Sequence, residues 1–211
     1  MNQFLTSAQP YLSFLRDLVT IASLGVAAVV AINGLQTWRR QLKGTADYEL
    51  AKRLLKATYR LRDALQSVRT PFMSSGEVAQ AMKEAQLDIK PSDEGYHAAS
   101  NTAVYQMRWK PVVEAYQALE LEAIETEALW GPEARTATTT IRKSIASLNI
   151  ALGTVLEEWQ SRGVGLLDEE TRLANRRIVF SMSQPEQDPF TKDLNSAVDT
   201  IEDLARPYLT R

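Results

Sequence analysis

The sequence predicts an all-α protein, with one N-terminal transmembrane helix followed by a cytoplasmic antiparallel bundle of about four main helices. An uncharged apolar run near the N-terminus, apolar residues at helical spacing after it and no sustained strand-like alternation support this. With 211 residues, 45% of them hydrophobic, the chain can bury a core. We divide it into a short external or interfacial segment (1–17), a transmembrane helix (18–38) and the bundle (39–211).

The predicted anchor is the run LVTIASLGVAAVVAINGL at residues 18–35. Eighteen residues at about 1.5 Å each give about 27 Å, and the next three residues complete a crossing of the roughly 30 Å hydrocarbon core. A Trp and three cations follow the run, whereas only Arg16 precedes it. The positive-inside rule therefore places the N-terminus outside a bacterial inner membrane and the C-terminal domain in the cytoplasm. The predicted membrane-interface residues are Trp38, Arg39, Arg40 and Lys43.

Two other interpretations of the run stay open. A cleaved signal peptide normally has its positive charges before a shorter apolar run and a cleavage site after it. A buried core helix of a soluble protein is the second alternative, because many Ala, Gly, Ser and Thr residues make the run only moderately hydrophobic. The order of charges and the length of the run favour the membrane span over both.

Small residues recur at one face of the run. Ser23, Ala27 and Ala31 lie four residues apart, and this spacing lets two transmembrane helices approach closely. The pattern therefore suggests self-association of the span, although Ala-rich segments often contain such a pattern by chance.

A heptad pattern follows the span between Thr45 and Val68, where apolar residues are spaced alternately by three and four. Thr70-Pro71 ends this helix, because the proline ring disfavours helical backbone in the preceding residue. If Gly44 does not break the helix, span and heptad segment form one rod of some 50 residues, about 80 Å long. The seam residues expected to bind a partner are Leu50, Leu54, Leu61 and Val68.

Further helices are predicted along the rest of the chain. A short helix covers Glu77–Gln86, and a long one runs from near Asp93 to Leu129, with a kink or break expected at Pro111. The next begins with Pro132 at its first position and ends near Gln160. The sequence 168–175 also looks helical. The last helix begins at Asp188-Pro189, has its apolar stripe at Leu194, Val198, Ile201 and Leu204, and ends near Arg206-Pro207.

Charge is distributed unevenly. Residues 39–69 contain nine Lys or Arg and three acids, whereas residues 112–134 contain six Glu and no Lys or Arg. A basic helix and an acidic helix within one small domain are expected to face each other. Because exposed ion pairs contribute only about 0–1 kcal/mol each, such pairing sets helix order more than stability.

Few chemistries fit this composition. The absence of cysteine excludes disulfides, thiolate metal sites and a cysteine nucleophile, and a single histidine excludes multi-histidine zinc sites. His97 lies four residues after Asp93, but no nucleophile accompanies them, and a capping or packing role is favoured. We predict no enzyme activity, catalytic residue, cofactor or metal. Tryptophans 109, 130 and 159 are expected to pack in the bundle core.

The basic residues have two readings each. Arg39, Arg40 and Lys43 fit anionic lipid headgroups, but they fit the usual role of topology determinants better. The stretch from Lys52 to Arg69 fits a solvated face or an acidic helix partner better than a nucleic-acid site, so nucleic acid is not an expected partner.

The segment 37–73 contains a Trp with basic residues, a long helix and a Val-Arg-x-Pro-Phe turn at Val68–Phe72. In this layout it resembles uncharacterised bacterial single-span membrane-anchored helical proteins. The resemblance covers residues 37–73 only. It implies a bacterial or phage-derived source and supplies no catalytic residues.

We therefore expect a non-enzymatic, single-span scaffold or interaction protein whose partners are the lipid bilayer and either another protein or a second copy of itself. One alternative is a membrane effector of a bacterial stress or phage-defence system, which senses a signal through the bundle and perturbs the membrane. A further alternative is a ligand sensor or hydrolase with a dispersed site.

Overall fold

The computed structural model describes residues 2–161, 167–181 and 188–210, with side chains from Leu18 onward. Within these residues it contains six α-helices and no strand, which confirms the all-α prediction. The chain divides into a first unit, Met1–Asp47, and a second unit, Tyr48–Arg211. The helices are α1 (Asn2–Val68), α2 (Ser75–Glu84), α3 (Tyr96–Trp130), α4 (Glu133–Gln160), α5 (Glu169–Val179) and α6 (Pro189–Leu209).

The first unit is the N-terminal part of α1. The backbone is helical from Asn2 and stays helical through Gly44, so the anchor run and the heptad segment belong to one helix. By length and composition this helix can cross a membrane, as can a signal sequence near an N-terminus, and its most apolar window contains no buried residue. A core helix is mostly buried, so the buried-helix interpretation is wrong for the structure of this chain. The location of 1–17 outside a membrane stays a prediction.

The second unit begins with the heptad part of α1. Helix α1 ends at Val68, three residues before Pro71, as predicted. Helix α2 overlaps the predicted Glu77–Gln86 region but begins two residues earlier, at Ser75. The side chain of Ser74 caps it by accepting a hydrogen bond from the Glu77 backbone N–H.

Helix α3 differs from its prediction at two places. It begins at Tyr96 rather than near Asp93, because Gly95 adopts a left-handed conformation at φ 85° immediately before it. The Asp93 carboxylate instead accepts a hydrogen bond from the Lys90 backbone N–H at 2.9 Å. The helix continues through Pro111, so the predicted break does not occur. Trp109 and Val112, on either side of this position, pack in or against the main core, which stabilises the helix despite the missing N–H donor.

Helices α4 to α6 mostly begin at the predicted signals. Pro132 is the N-cap of α4 rather than its first residue. The carboxylates of Asp168 and Asp188 accept hydrogen bonds from the first turns of α5 and α6. Helix α6 continues through Pro207 to Leu209, two to three residues beyond its predicted end.

The long helices of the second unit run antiparallel in the pairs α1–α3, α1–α6 and α3–α4. Arg53 of α1 contacts Glu122 of α3, whereas the end of α1 contacts Arg108, so the two chain directions oppose. Contacts of α1 with α6 follow the same order, from Tyr59–Glu202 to Arg69–Asp188. Between α3 and α4, the pairs that show the opposed direction are Glu127–Arg135, Glu120–Arg142 and Thr102–Gln160.

One main core holds these helices together. The buried apolar residues of α1, α3, α4 and α6 meet in it, and the short helix α5 adds Val179. The prediction of about four main helices thus describes the long elements, and the two short helices α2 and α5 lie close to the predicted helical segments 77–86 and 168–175. The largest fully buried aliphatic side chains are Leu50, Leu54, Leu61, Leu65, Leu119, Ile141, Leu148, Leu194 and Ile201.

Candidate functional site

The apolar part of α1 from Leu18 onward has no buried residue in the structure. All residues from Leu18 to Lys43 are exposed. Ser23 donates its hydroxyl hydrogen to the Val19 carbonyl at 2.7 Å, which satisfies the polar group within the helix. The predicted small residues Ser23, Ala27 and Ala31 line one shallow groove along this face, and their role in self-association stays a prediction. Nine large aliphatic residues are each 47% to 71% exposed: Leu18, Val19, Ile21, Leu24, Val26, Val29, Val30, Ile32 and Leu35.

The four predicted membrane-interface residues directly follow this stretch. Trp38 is 57% exposed, and the side chains of Arg39, Arg40 and Lys43 are also exposed. The first unit therefore combines an exposed apolar surface, an exposed aromatic ring and exposed cations on successive turns of one helix.

The predicted partner seam of α1 is buried inside the bundle instead of lying on its surface. Leu50, Leu54, Leu61 and Val68 each have 0% of their surface exposed. Leu54, Leu61 and Val68 belong to the main core, where they pack with residues from α3, α4 and α6. The folded domain thus presents none of the four to a second molecule, because the chain's own helices bury them.

The basic and acidic helices face each other, as their charges predicted. The Arg53 Nε donates a hydrogen bond to Glu122 at 2.9 Å, and the other end of the guanidinium contacts Glu125 at 2.7 Å. These contacts raise the pKa of Arg53. The pairs are partly exposed, so they position α1 against α3 rather than dominate stability.

Arg69 is a buried charged residue of the second unit, with 1% of its surface exposed. Its Nη1 donates hydrogen bonds to the Asp188 carboxylate at 2.6 Å and the Thr191 hydroxyl at 2.9 Å. Its Nε donates to the Ile178 carbonyl at 2.6 Å, and the guanidinium lies 4.4 Å from the Phe190 ring centroid. One side chain thus joins the ends of α1 and α5 to the start of α6.

Arg108 plays a similar part on α3. It makes a two-bond ion pair with Glu77 at 2.6 and 2.8 Å and also donates to the carbonyls of Thr70 and Phe72. The hydrogen bonds from Arg108 lower the pKa of Glu77. The turn after α1 is therefore fixed on one side by Arg69 and on the other by Arg108, while the Phe72 side chain stays 74% exposed.

Sequence reasoning missed both arginine clusters. Arg69 was assigned to a basic surface stretch, and Arg108 was not singled out. A usable signal exists for Arg108, which lies among Val104, Tyr105 and Val112 on the apolar face of α3. A long cation on such a face indicates a buried partner, because lone buried charges are costly.

Tyr105 presents an unusual polar group near Arg108. Its side chain has no exposed surface, and its hydroxyl has no hydrogen-bond partner among the described residues. Burial raises the pKa of Tyr105, so the phenol is neutral at physiological pH. The ring lies 5.8 Å from the Trp159 ring, centroid to centroid.

His97 and Asp93 do not lie in the i, i+4 arrangement of one helix. Asp93 precedes α3, so it does not lie one turn before His97 on a helix. His97 is exposed, and its ring meets the Tyr96 ring edge-on at 5.6 Å. The three tryptophans 109, 130 and 159 do pack against the core, as predicted, and Trp130 stacks on Tyr208 at 3.9 Å.

A groove of about 300 Å³ lies between α3 and α4. Trp109, Tyr116 and Ile145 provide apolar walls, and Arg142, held by Glu120 at 2.6 Å, lies at its edge. Among the residues with described side chains, no group of three or more His, Cys, Asp or Glu is arranged to hold a metal ion.

The chain thus combines an exposed apolar helix, a basic segment after it and a bundle joined by two buried arginines. No protein family, characterised protein or solved structure matches this chain.

Proposed function

We propose that the chain is a non-enzymatic membrane-anchored helical protein of bacterial type. Its helix α1 spans the inner membrane once, with the N-terminus outside and the bundle in the cytoplasm. The bundle binds a partner protein or a second copy of the chain.

The exposed apolar stretch of α1 carries this proposal. Full burial of one Val, Leu or Ile side chain contributes about 1.5–3 kcal/mol, whereas nine such side chains between Leu18 and Leu35 are 47% to 71% exposed within the described part of the chain. Soluble monomers rarely expose apolar patches larger than a few hundred Å². Lipid tails cover every side of a helix, which matches exposure around the whole circumference.

The use of the buried charges supports a non-enzymatic role. Arg69, Asp188 and Arg108 are occupied by contacts that hold helices and one turn together. His97 lies on the surface, and no hydrogen bond or ion pair joins its ring to a carboxylate among the described residues, as acid–base chemistry would require. These arrangements favour structural roles for the residues that otherwise suggest chemistry.

The surface left for a protein partner is the outer side of α3 and α4. The seam of α1 is buried, whereas Val113, Leu121 and Ile124 of α3 and Ile150 of α4 are each more than 40% exposed. Val113 also lines the groove between these helices. A photo-crosslinking amino acid at position 113 should capture the partner, while the same group at the exposed position 173 on α5 should not. Equal capture from both positions would contradict the proposal that the partner binds at the outer side of α3 and α4.

Membrane extraction tests the anchor. The full chain is expressed in bacteria, and isolated membranes are washed first with high salt and then with alkaline carbonate. The proposal predicts that the chain stays in the membrane through both washes, because only insertion resists carbonate. Two double variants form a matched pair. The variant Val26→Arg with Val29→Arg places charges in the span and should be released by the washes. The control variant Lys56→Ala with Arg60→Ala changes the bundle only and should stay in the membrane. Release of the unchanged chain by either wash would contradict the proposal.

A further inference from the structure

A group of three cations follows the exposed apolar stretch of α1. Arg39, Arg40 and Lys43, here called the basic collar, have exposed side chains. None of them forms an ion pair or hydrogen bond with any residue whose side chain the structure describes. Their charges are therefore available to a ligand.

The surrounding sequence does not neutralise the collar. No Asp or Glu occurs between Asp17 and Asp47. Asp47 is itself buried, and the next acid, Glu49, lies 3.8 Å from Lys52. This part of α1 thus has a local excess of three positive charges, although the whole chain has a net charge of −2.

Helical geometry sorts the residues around the collar into two sectors. At about 100° per residue, Arg39, Arg40 and Lys43 fall within a sector of about 100°. Leu35, Trp38 and Leu42 fall within a separate sector of about 60°. These three apolar side chains are 47%, 57% and 52% exposed. The segment therefore offers cations and apolar groups side by side, as required where phosphates and acyl chains meet.

We infer that the basic collar binds the phosphate headgroups of anionic phospholipids, with Trp38 at the boundary between headgroups and acyl chains. This inference rests on the proposed membrane anchor. Lipid is favoured over nucleic acid because the cations continue directly from an apolar stretch long enough to cross the hydrocarbon core. Each cation near an anionic surface adds about fivefold to the affinity, so the collar should act well beyond a simple topology signal.

Lipid retention by the purified full chain tests this inference. The chain is purified in a neutral detergent, mixed with equal amounts of phosphatidylglycerol and phosphatidylcholine, and examined by native mass spectrometry. Membrane orientation plays no part in detergent, so the result reports headgroup binding alone. We expect the chain to retain phosphatidylglycerol at least about tenfold more than phosphatidylcholine, and this preference should shrink at high salt.

Two charge-matched variants locate the site. Arg39→Gln with Arg40→Gln and Lys43→Gln should abolish most of the preference. Lys56→Gln with Arg60→Gln and Lys143→Gln removes three exposed cations elsewhere and should keep it. Equal loss in both variants, or no preference in the unchanged chain, would overturn the inference. Displacement of the lipid by inorganic phosphate or a short single-stranded oligonucleotide at low concentration would also overturn it, since the site would then not be a lipid site.

Failure of this inference is distinct from failure of the anchor. If the chain resists carbonate but shows no lipid preference, the inference of a headgroup site is refuted and the proposed anchor stands. If carbonate extracts the chain, the proposed anchor is refuted, and so is the headgroup site that rests on it.

Discussion

The guanidinium of Arg69 and the carboxylate of Asp188 form a 2.6 Å ion pair in which both side chains are almost completely buried. The two residues are 119 positions apart, so the pair joins the end of the first helix to the start of the last. Thr191 and the backbone carbonyls at the end of α5 satisfy the remaining polar atoms. A well-paired buried charge of this kind makes both partners sensitive to substitution.

Removing one partner of this pair should destabilise the bundle strongly. Asp188→Asn leaves a buried guanidinium without its counter-charge, and we expect a loss of about 3–5 kcal/mol in the free energy of unfolding. The matched control is Asp63→Asn, which affects an exposed pair with Arg62 and should change stability by at most about 1 kcal/mol. Urea unfolding of the full chain in detergent measures both. Similar small effects would show that the buried pair is not formed.

The Arg69–Asp188 pair should make the free energy of unfolding depend on pH in the acidic range. Burial raises the pKa of Asp188, but hydrogen bonds from Arg69 and Thr191 lower it more, so it lies below the usual Asp value of about 3.9. The contribution is therefore complete above about pH 4 and is lost as the pH falls through the lower pKa of the folded state. Unfolding measured from about pH 5 downward should show a steeper loss in the unchanged chain than in Asp188→Asn. Equal slopes would contradict the lowered pKa.

Tyr105→Phe should leave stability unchanged or increase it. The buried hydroxyl has no hydrogen-bond partner among the side chains and backbone that the structure describes, so its removal abolishes a desolvation cost and no described hydrogen bond. Tyr59→Phe is the matched control, because the Tyr59 hydroxyl donates to Glu202 at 2.9 Å, and its loss should cost about 0.5–1.5 kcal/mol. A loss above about 1 kcal/mol in Tyr105→Phe would reveal a bound water or ligand at the hydroxyl.

The seam of α1 should act within the chain. Leu61→Ala removes a fully buried side chain from the core, and we expect a loss of about 2–5 kcal/mol. Ile124→Ala, at a position 65% exposed, should change stability by less than about 0.5 kcal/mol. Chemical denaturation compares the two. If Leu61→Ala kept full stability but lost a bound partner, the seam would be an intermolecular surface after all.

Replacement of the anchor should not disturb binding by the bundle. If residues 18–35 only hold the protein in the membrane, an unrelated leucine-rich span should leave the partners crosslinked from position 113 unchanged. Comparison of the crosslinked proteins by mass spectrometry measures this. Loss of those partners, although the chain still reaches the membrane, would favour the effector alternative, in which the span itself acts.

Local signals predicted much of the fold. The end of α1 before Pro71 and the start of α6 at Asp188-Pro189 depend on backbone chemistry within a few residues, and both predictions are confirmed. The uneven charges also predicted that α1 faces α3. Pro111 does not break α3 and Pro207 does not end α6, although the local rule disfavours a helix at both positions.

Long-range contacts could not be predicted in the same way. Arg69 and Asp188 are each ordinary residues in their local sequence, and only the folded chain brings them together. The heptad seam also shows that local sequence does not identify long-range contacts. Its spacing predicted that Leu54 and Leu61 are buried, but spacing alone does not say whether the covering helix belongs to the same chain.

The most direct test of the membrane anchor is the accessibility of one residue on each side of it. The chain contains no cysteine, so single variants Ser7→Cys and Ser67→Cys each carry one reactive thiol. Intact bacterial spheroplasts are treated with a maleimide that does not cross membranes. The account predicts labelling at position 7 in intact spheroplasts and at position 67 only after the membrane is opened. Labelling of position 67 in intact spheroplasts, or loss of position 7 from a shortened chain, would contradict an uncleaved span with a cytoplasmic bundle.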